Sequence, residues 1–320
     1  MTRLGALDAL ARGVANLRGN AEVALASALG SCVVMLVVAA SLLPWLSAFG
    51  LDLGDLVGGG PVEPQAWLGW ARAALSPTDL LARFGAGLVA FALGLTVASF
   101  VYCWYWGGVI GLLAAGDAQA PPGAGRAPLL FRTWSMRYFV GEANRLAMRF
   151  LLFLSLFCGL LVVVLALMIA VVVAAMWLGG REHPGAALAI GCGGLLPAAF
   201  AYAAVALAAW VGQVALVGPR ARVGAAARTG FRLLGRRLGA CVALAGLYFV
   251  AAIAVAVAVG TGTALLRLVL SAVPTVALTV DFVLTLLQFA LSALMTAAFA
   301  GAFVALVRSE LALEAAAATA

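Results

Sequence analysis

The chain has 320 residues, 66% of them hydrophobic and only 10% charged, with a mean hydropathy of +1.15. Soluble domains carry roughly 45–50% apolar and about 25% charged residues, so a water-soluble fold is excluded, because too little charge is present to cover such a core. The net charge of +7 rests on nineteen arginines and no lysine. Nucleic-acid binding would need a basic face on a soluble module, and none is visible. Arginine used alone, beside abundant Ala and Gly, reads as GC-rich coding rather than as a demand for guanidinium chemistry.

A bilayer-crossing helix needs about 20 apolar residues, and six stretches meet that length: 23–49, 80–106, 147–178, 185–217, 239–260 and 282–307. The fold expected is therefore all-α: a polytopic integral membrane protein with six transmembrane helices, forming a single membrane domain over 1–320. Arg3, Arg12 and Arg18 precede the first stretch, within a short amphipathic segment at 4–18. That stretch is nearly twice as long as the roughly 7–15 residues of a signal-peptide core, and no A-x-A site follows, so it reads as a retained signal anchor. Pro44, and later Pro197, fall inside spans and are candidate kink sites.

The loop over 50–79 carries Asp52, Asp55, Glu63 and Asp79, and also EPQAWLGWARAAL, where Trp67 and Trp70 share one helical face. Tryptophan at that depth anchors a helix at the membrane interface; stacking on a ligand is the alternative. In SPTDLL, Thr78 is placed to cap the second span and Asp79 to sit in its first turn, where the helix dipole favours an acid. The second span ends in YCWYWGGVIGLLAAG. Tyr102, Trp104, Tyr105 and Trp106 are expected to mark the far interface, with Gly107-Gly108 ending the helix there. The sharper alternative makes 102–116 the wall of a lipid-sized groove. Gly107 and Gly111 form a small-xxx-small pair, which lets helix backbones approach.

A basic amphipathic segment over 127–146 leads into the third span, with Arg145 and Arg149 near its end. The turn between the third and fourth spans, GGREHPG, holds the only histidine, His183, with no partner at ligand or triad spacing. A second arginine cluster follows the fourth span in GPRARVGAAARTGFRLLGRRLG. On a helix over 220–238, Arg228, Arg232 and Arg236 form one stripe at i, i+4, i+8, with Arg237 beside it. Val223, Ala227, Phe231, Leu234 and Leu238 form a neighbouring apolar face. Such a helix is expected to lie in the headgroup zone with its apolar side in the membrane. Beyond the fifth span, Arg267 is expected in a segment lying along the interface.

Fifteen of the nineteen arginines fall on one side of this arrangement. The positive-inside rule makes that side cytoplasmic, with both termini inside, as an even span count also requires. A localisation in a bacterial cytoplasmic membrane follows. Three basic segments, ALDALARGVANLRGN, FRTWSMRYFVGEANRLAMRF and GAAARTGFRLLGRRLG, precede the first, third and fifth spans, a threefold repetition of architecture with low identity.

Chemistry is sparse. No charged residue falls near a midplane, where a transport or proton pathway would place one. Gln213, Gln288, Thr96 and Thr296 read as helix glue, with Gln288 the most interior. Cys32, Cys103, Cys158, Cys192 and Cys241 each stand alone in an apolar run, so neither a metal site nor a disulfide framework is expected. No cofactor, metal or catalytic residue is therefore assigned, and the chain is not expected to be an enzyme. The order from Tyr105 onward is an aromatic, paired glycines, an apolar turn, AAGDAQAPP, then a phenylalanine and a basic segment. With GAAARTGFRLLGRRLG ahead of the fifth span, this resembles a group of bacterial six-helix membrane proteins. The group includes the membrane domain found ahead of some glycerophosphodiester phosphodiesterases, and stand-alone relatives. The resemblance implies a membrane-embedded helper tied to lipids or to a partner.

The expected function is accordingly a non-catalytic inner-membrane protein that acts as a lipid-associated or partner-binding scaffold. Its partners are membrane lipids of the anionic inner leaflet, contacted by Arg145, Arg149, Arg228, Arg232, Arg236 and Arg237; a protein partner or a second copy stays open, and nucleic acid is excluded. A permease or a transporter component for lipid or small molecules is the alternative.

Overall fold

The computed structural model describes residues 3–48, 77–119, 132–179, 184–218, 221–270 and 274–319. Among these the structure is all-helical. Two helices of 14 residues, α1 (Ala6–Gly19) and α6 (Val223–Arg236), stand beside six long ones. The long helices are α2 (Ala21–Ala48), α3 (Pro77–Ala118), α4 (Met136–Gly179), α5 (Pro184–Ala215), α7 (Leu238–Leu270) and α8 (Pro274–Thr319). All six are long and apolar enough to cross a membrane. Three of them begin at a proline, whose fixed φ and missing N–H suit the first helical position. Because α3 begins at Pro77, Thr78 lies inside the first turn and not at its cap.

Several boundaries differ from the sequence reading, mostly toward longer helices, although α5 ends at Ala215, before the expected 217. The helix α3 does not end at Gly107-Gly108 but runs on to Ala118, because close contacts on its flank replace the missing side chains. The amphipathic approach to the third span and the span itself form one continuous helix, α4. The helix α7 continues to Leu270, so Arg267 lies within the helix rather than beyond it. The chain stays helical through Pro197 in α5.

By its internal contacts the chain divides into two compact units, residues 29–102 and residues 1–28 with 103–320. In the smaller unit α2 and α3 lie against each other at Gly94, where an added Cβ would collide with the Ser41 side chain. In the larger unit, α4 runs along α5, α7 along α8, α1 lies across α8, and α6 lies across α5. Its centre is aromatic. Trp106 of α3 meets Trp210 of α5 edge-on at 6.0 Å, and Trp210 lies 5.8 Å from Phe303 of α8. The most apolar stretch of α8 is 67% buried, against 6% for α4 and for α7. Helix α8 is thus an inner element, while α4 and α7 leave Leu152, Val162, Val163, Phe249 and Val250 exposed on their outer faces.

The threefold pattern of the sequence has a structural counterpart in the larger unit. Each amphipathic segment docks on the helix that closes the preceding repeat, through a small residue at the contact. Gly13 of α1 lies on Ala298–Ala302 of α8, and Gly230 of α6 on Ala208–Gly212 of α5. The first turns of α4 lie on α3, where Gly107 faces Leu146 and Gly108 faces Phe139. The connections also correspond. Gly13 stands seven residues before Asn20, where α1 breaks from α2, as Gly230 stands seven before Arg237, where α6 breaks from α7. The three docking steps close a ring in which the third repeat supports the first.

Candidate functional site

The polar residues of the larger unit gather where the arginine-rich segments meet the ends of α3, α5 and α8. Asp117, in the last turn of α3, is buried between two arginines. Its Oδ1 accepts from Arg12 Nε at 2.5 Å and its Oδ2 from Arg308 Nη1 at 2.8 Å. Arg12 also donates to the Asp117 carbonyl at 3.2 Å, and Arg308 Nη1 to Ala114 O at 3.3 Å. The Arg12 and Asp117 side chains are 3% and 2% exposed, whereas Arg308 is 34% exposed. The Arg12–Asp117 pair is therefore shielded from solvent and Arg308 opens outward.

Two asparagines extend this cluster. Asn16 Nδ2 donates to Leu113 O at 2.8 Å, and Gly116 leaves room for that side chain, since a Cβ there would stand 2.5 Å from Asn16 Oδ1. Asn20 Nδ2 donates to Asn16 O and Oδ1. Asn20 Oδ1 accepts from the backbone N–H groups of Thr133 and Trp134 at 2.8 and 2.9 Å. One fully buried side chain thus ties the α1–α2 break to the approach of α4. Buried polar groups are costly unless satisfied, and here they answer one another, which fixes the register of α1 against α3 and α4.

The α6 region is held by the C-terminal part of α8. Arg232 and Arg236 share Glu314 at 2.9 and 2.6 Å, and Arg237 reaches Glu310 at 3.1 Å and the Leu4 carbonyl. Arg237 and Glu310 are 15% and 8% exposed, so Arg237 turns inward and departs from the stripe predicted to face lipid. Of the apolar face expected to enter the membrane, Ala227 and Leu234 are buried within the protein, while Phe231 and Leu238 are exposed. Ala226, Ala227, Gly230, Leu233 and Leu234 are buried, with Gly230 against α5, and Phe231 stacks on Phe157 of α4 at 5.9 Å. The open face presents Arg228, Phe231, Arg232, Gly235 and Arg236.

Arg145 and Arg149 serve the end of α5. Arg145 pairs with Glu142 and donates to Val217 O at 3.1 Å, while Arg149 donates to Gly218 O at 3.2 Å. Both guanidinium groups thus hold the turn that follows α5. Of the aromatic residues predicted at an interface, Tyr105 and Trp106 are 4% and 2% exposed and belong to the protein interior. Trp106 Nε1 donates to Gln213 Oε1 at 2.9 Å, and Trp104 Nε1 donates to Asn144 Oδ1 at 2.7 Å. Tyr102 lies in the smaller unit and is half-buried. Trp67, Trp70, Asp52, Asp55, Glu63 and His183 lie outside the described residues. Thr296 Oγ1 meets Tyr248 Oη at 3.3 Å, joining α8 to α7, but Gln288, expected to be the most interior, is exposed.

No family model, curated protein or solved structure matches this chain. The site therefore stands on its geometry. All five cysteines are free, and no cluster of three metal-ligating side chains occurs among the described residues. A cavity of about 370 Å3 opens at this end of the larger unit, between the ends of α3 and α5, the first turns of α4, and α8. Tyr138, Glu142, Arg145 and Arg308 line it, against small walls such as Gly111, Ala115 and Ala118.

In the sequence Arg12 stands out only as one arginine of the segment 4–18, Arg308 only as part of the charge asymmetry, and Asp117 only inside the AAGDAQAPP motif. A lone acid at the end of an apolar helix and a lone arginine near the end of the last span were the available signals. Their pairing across 191 residues is not legible in a single sequence.

Proposed function

We propose that this chain is a non-catalytic protein of a bacterial cytoplasmic membrane. Its arginine-rich end lies in the cytoplasm, where it holds anionic lipid or a protein partner as a scaffold or helper, in keeping with the resemblance to the six-helix group. The observation that carries this reading is the open face of α6. One face is clamped to α5 by Gly230, and the other leaves Arg228, Phe231, Arg232 and Arg236 exposed in one stripe. The Arg232 and Arg236 side chains are 50% and 60% exposed even while sharing Glu314. Two guanidiniums on one carboxylate leave positive charge in excess, and Phe231 adds an apolar contact. An arginine close to an anionic leaflet contributes about 1 kcal/mol.

The non-catalytic reading is supported by where the polar groups are engaged. Arg12, Asp117, Asn16 and Asn20 bond to one another and to backbone, which makes them structural ties. Extraction of the protein in native-lipid particles tests the proposal. A stoichiometric protein partner, or one enriched anionic lipid class, is expected; bulk lipid alone, with no partner, overturns it. The cavity between α3, α5 and α8 favours a second reading, a permease or lipid transporter component, for which ligand movement across a proteoliposome membrane is the measurement.

A further inference from the structure

The cavity beside Arg308 has a chemistry distinct from the α6 stripe. Arg308 Nη1 is engaged by Asp117 and Ala114 O, while among the described residues its Nε and Nη2 make no hydrogen bond. Arg145 uses Nε and Nη2 on Glu142 and Val217 O, and its Nη1 makes none. The Tyr138 hydroxyl is a further donor on the same wall. Arg12, Arg145 and Arg308 against Asp117 and Glu142 leave one positive charge in excess. Donors therefore converge from α4 and α8 on a space bounded by small and apolar residues of α3 and α5. A volume of about 370 Å3 falls within the roughly 300–1,000 Å3 of ligand sites. Arginine forks match the oxygens of phosphate, an acceptor-only ligand that takes several N–H donors at once.

The geometry points to a binding site for a phosphate-bearing anion in this cavity, with Arg308 and Arg145 as its guanidinium donors and Tyr138 as a third. The phosphate is that of a lipid headgroup, with its glycerol body along Ala114, Ala115 and Ala118, or of a small soluble phosphoester. The site uses residues other than the α6 stripe, so either inference can fail while the other stands.

The test is binding by the full chain in a phosphate-free maltoside detergent, read by thermal shift and by calorimetric titration. The probes are inorganic phosphate, glycerol 3-phosphate and dihexanoyl phosphatidic acid. Saturable binding of the short-chain lipid alone assigns a headgroup site, and binding of all three assigns a soluble phosphoester site. Arg145→Gln is expected to weaken binding at least tenfold, and Arg145→Lys to weaken it less. Ala118→Trp, a large ring at an exposed position of the cavity lining, is expected to abolish binding, with the melting temperature without ligand as the control for folding. Replacing Arg228, Arg232 and Arg236 by glutamate should leave this binding intact. No saturable binding by any probe, or full binding by Ala118→Trp and Arg145→Gln, overturns the assignment.

Discussion

Replacing Asp117 by asparagine removes the charge at the centre of the polar cluster and keeps its shape. The carboxylate sits between Arg12 at 2.5 Å and Arg308 at 2.8 Å, and its side chain is 2% exposed. Arg12 is 3% exposed, so the substitution leaves a guanidinium buried without its counter-charge. Breaking a buried pair in this way costs about 3–5 kcal/mol. The Arg308 pair adds little, because a third of that side chain is exposed and solvent screens it to about 0–1 kcal/mol. At roughly 2–4 °C per kcal/mol for a large domain, the melting temperature should fall by about 10 °C. Intrinsic tryptophan fluorescence on heating in detergent measures this directly. The double variant Arg12→Met with Asp117→Leu removes both charges and should recover much of the loss, because apolar groups replace the pair. A single variant that melts within about 2 °C of the wild type would show that the pair is not a structural tie, and the reasoning would be refuted.

Further consequences follow from the same contacts. Gly230→Ala should lift α6 from α5 and lower the melting temperature, because the new Cβ would collide with the Ala208 carbonyl of the α5 backbone. Gly224→Ala, which meets open space, should gain up to about 1 kcal/mol from helix propensity. Trp106→Phe removes the bond to Gln213 and should cost about 1 kcal/mol, seen as a small shift in thermal unfolding. Glu314→Gln weakens pairs whose arginines are half exposed and should change stability by no more than about 1 kcal/mol, with increased retention of anionic lipid.

The all-helical architecture and the six crossing helices were legible because composition and unbroken apolar runs leave the backbone no other way to satisfy itself in lipid. The short helices α1 and α6 were legible from their periodicity. Their partners were not: apolar residues at 227 and 234 read the same whether they meet lipid or protein. Only the small residue Gly230, placed against Gly212, distinguishes the two, and that pairing is nonlocal. The same limit explains Gly107-Gly108, which looks like a helix end in isolation and serves as a seat for Phe139 and Leu146 in the fold. Arg237 belonged to the predicted lipid-facing group by sequence and turned inward because Glu310 and Leu4 O, both remote in the chain, await it.

The central claim is that the arginine-rich end gathers anionic lipid or a partner through the open face of α6. The most direct measurement compares the wild type with the variant Arg228→Glu, Arg232→Glu, Arg236→Glu, both extracted in native-lipid particles, with associated lipid and protein quantified by mass spectrometry. Enrichment of an anionic lipid or a stoichiometric protein with the wild type, falling to the level of the bulk membrane in the variant, is the expected result. Equal recovery from both, at bulk composition, contradicts it.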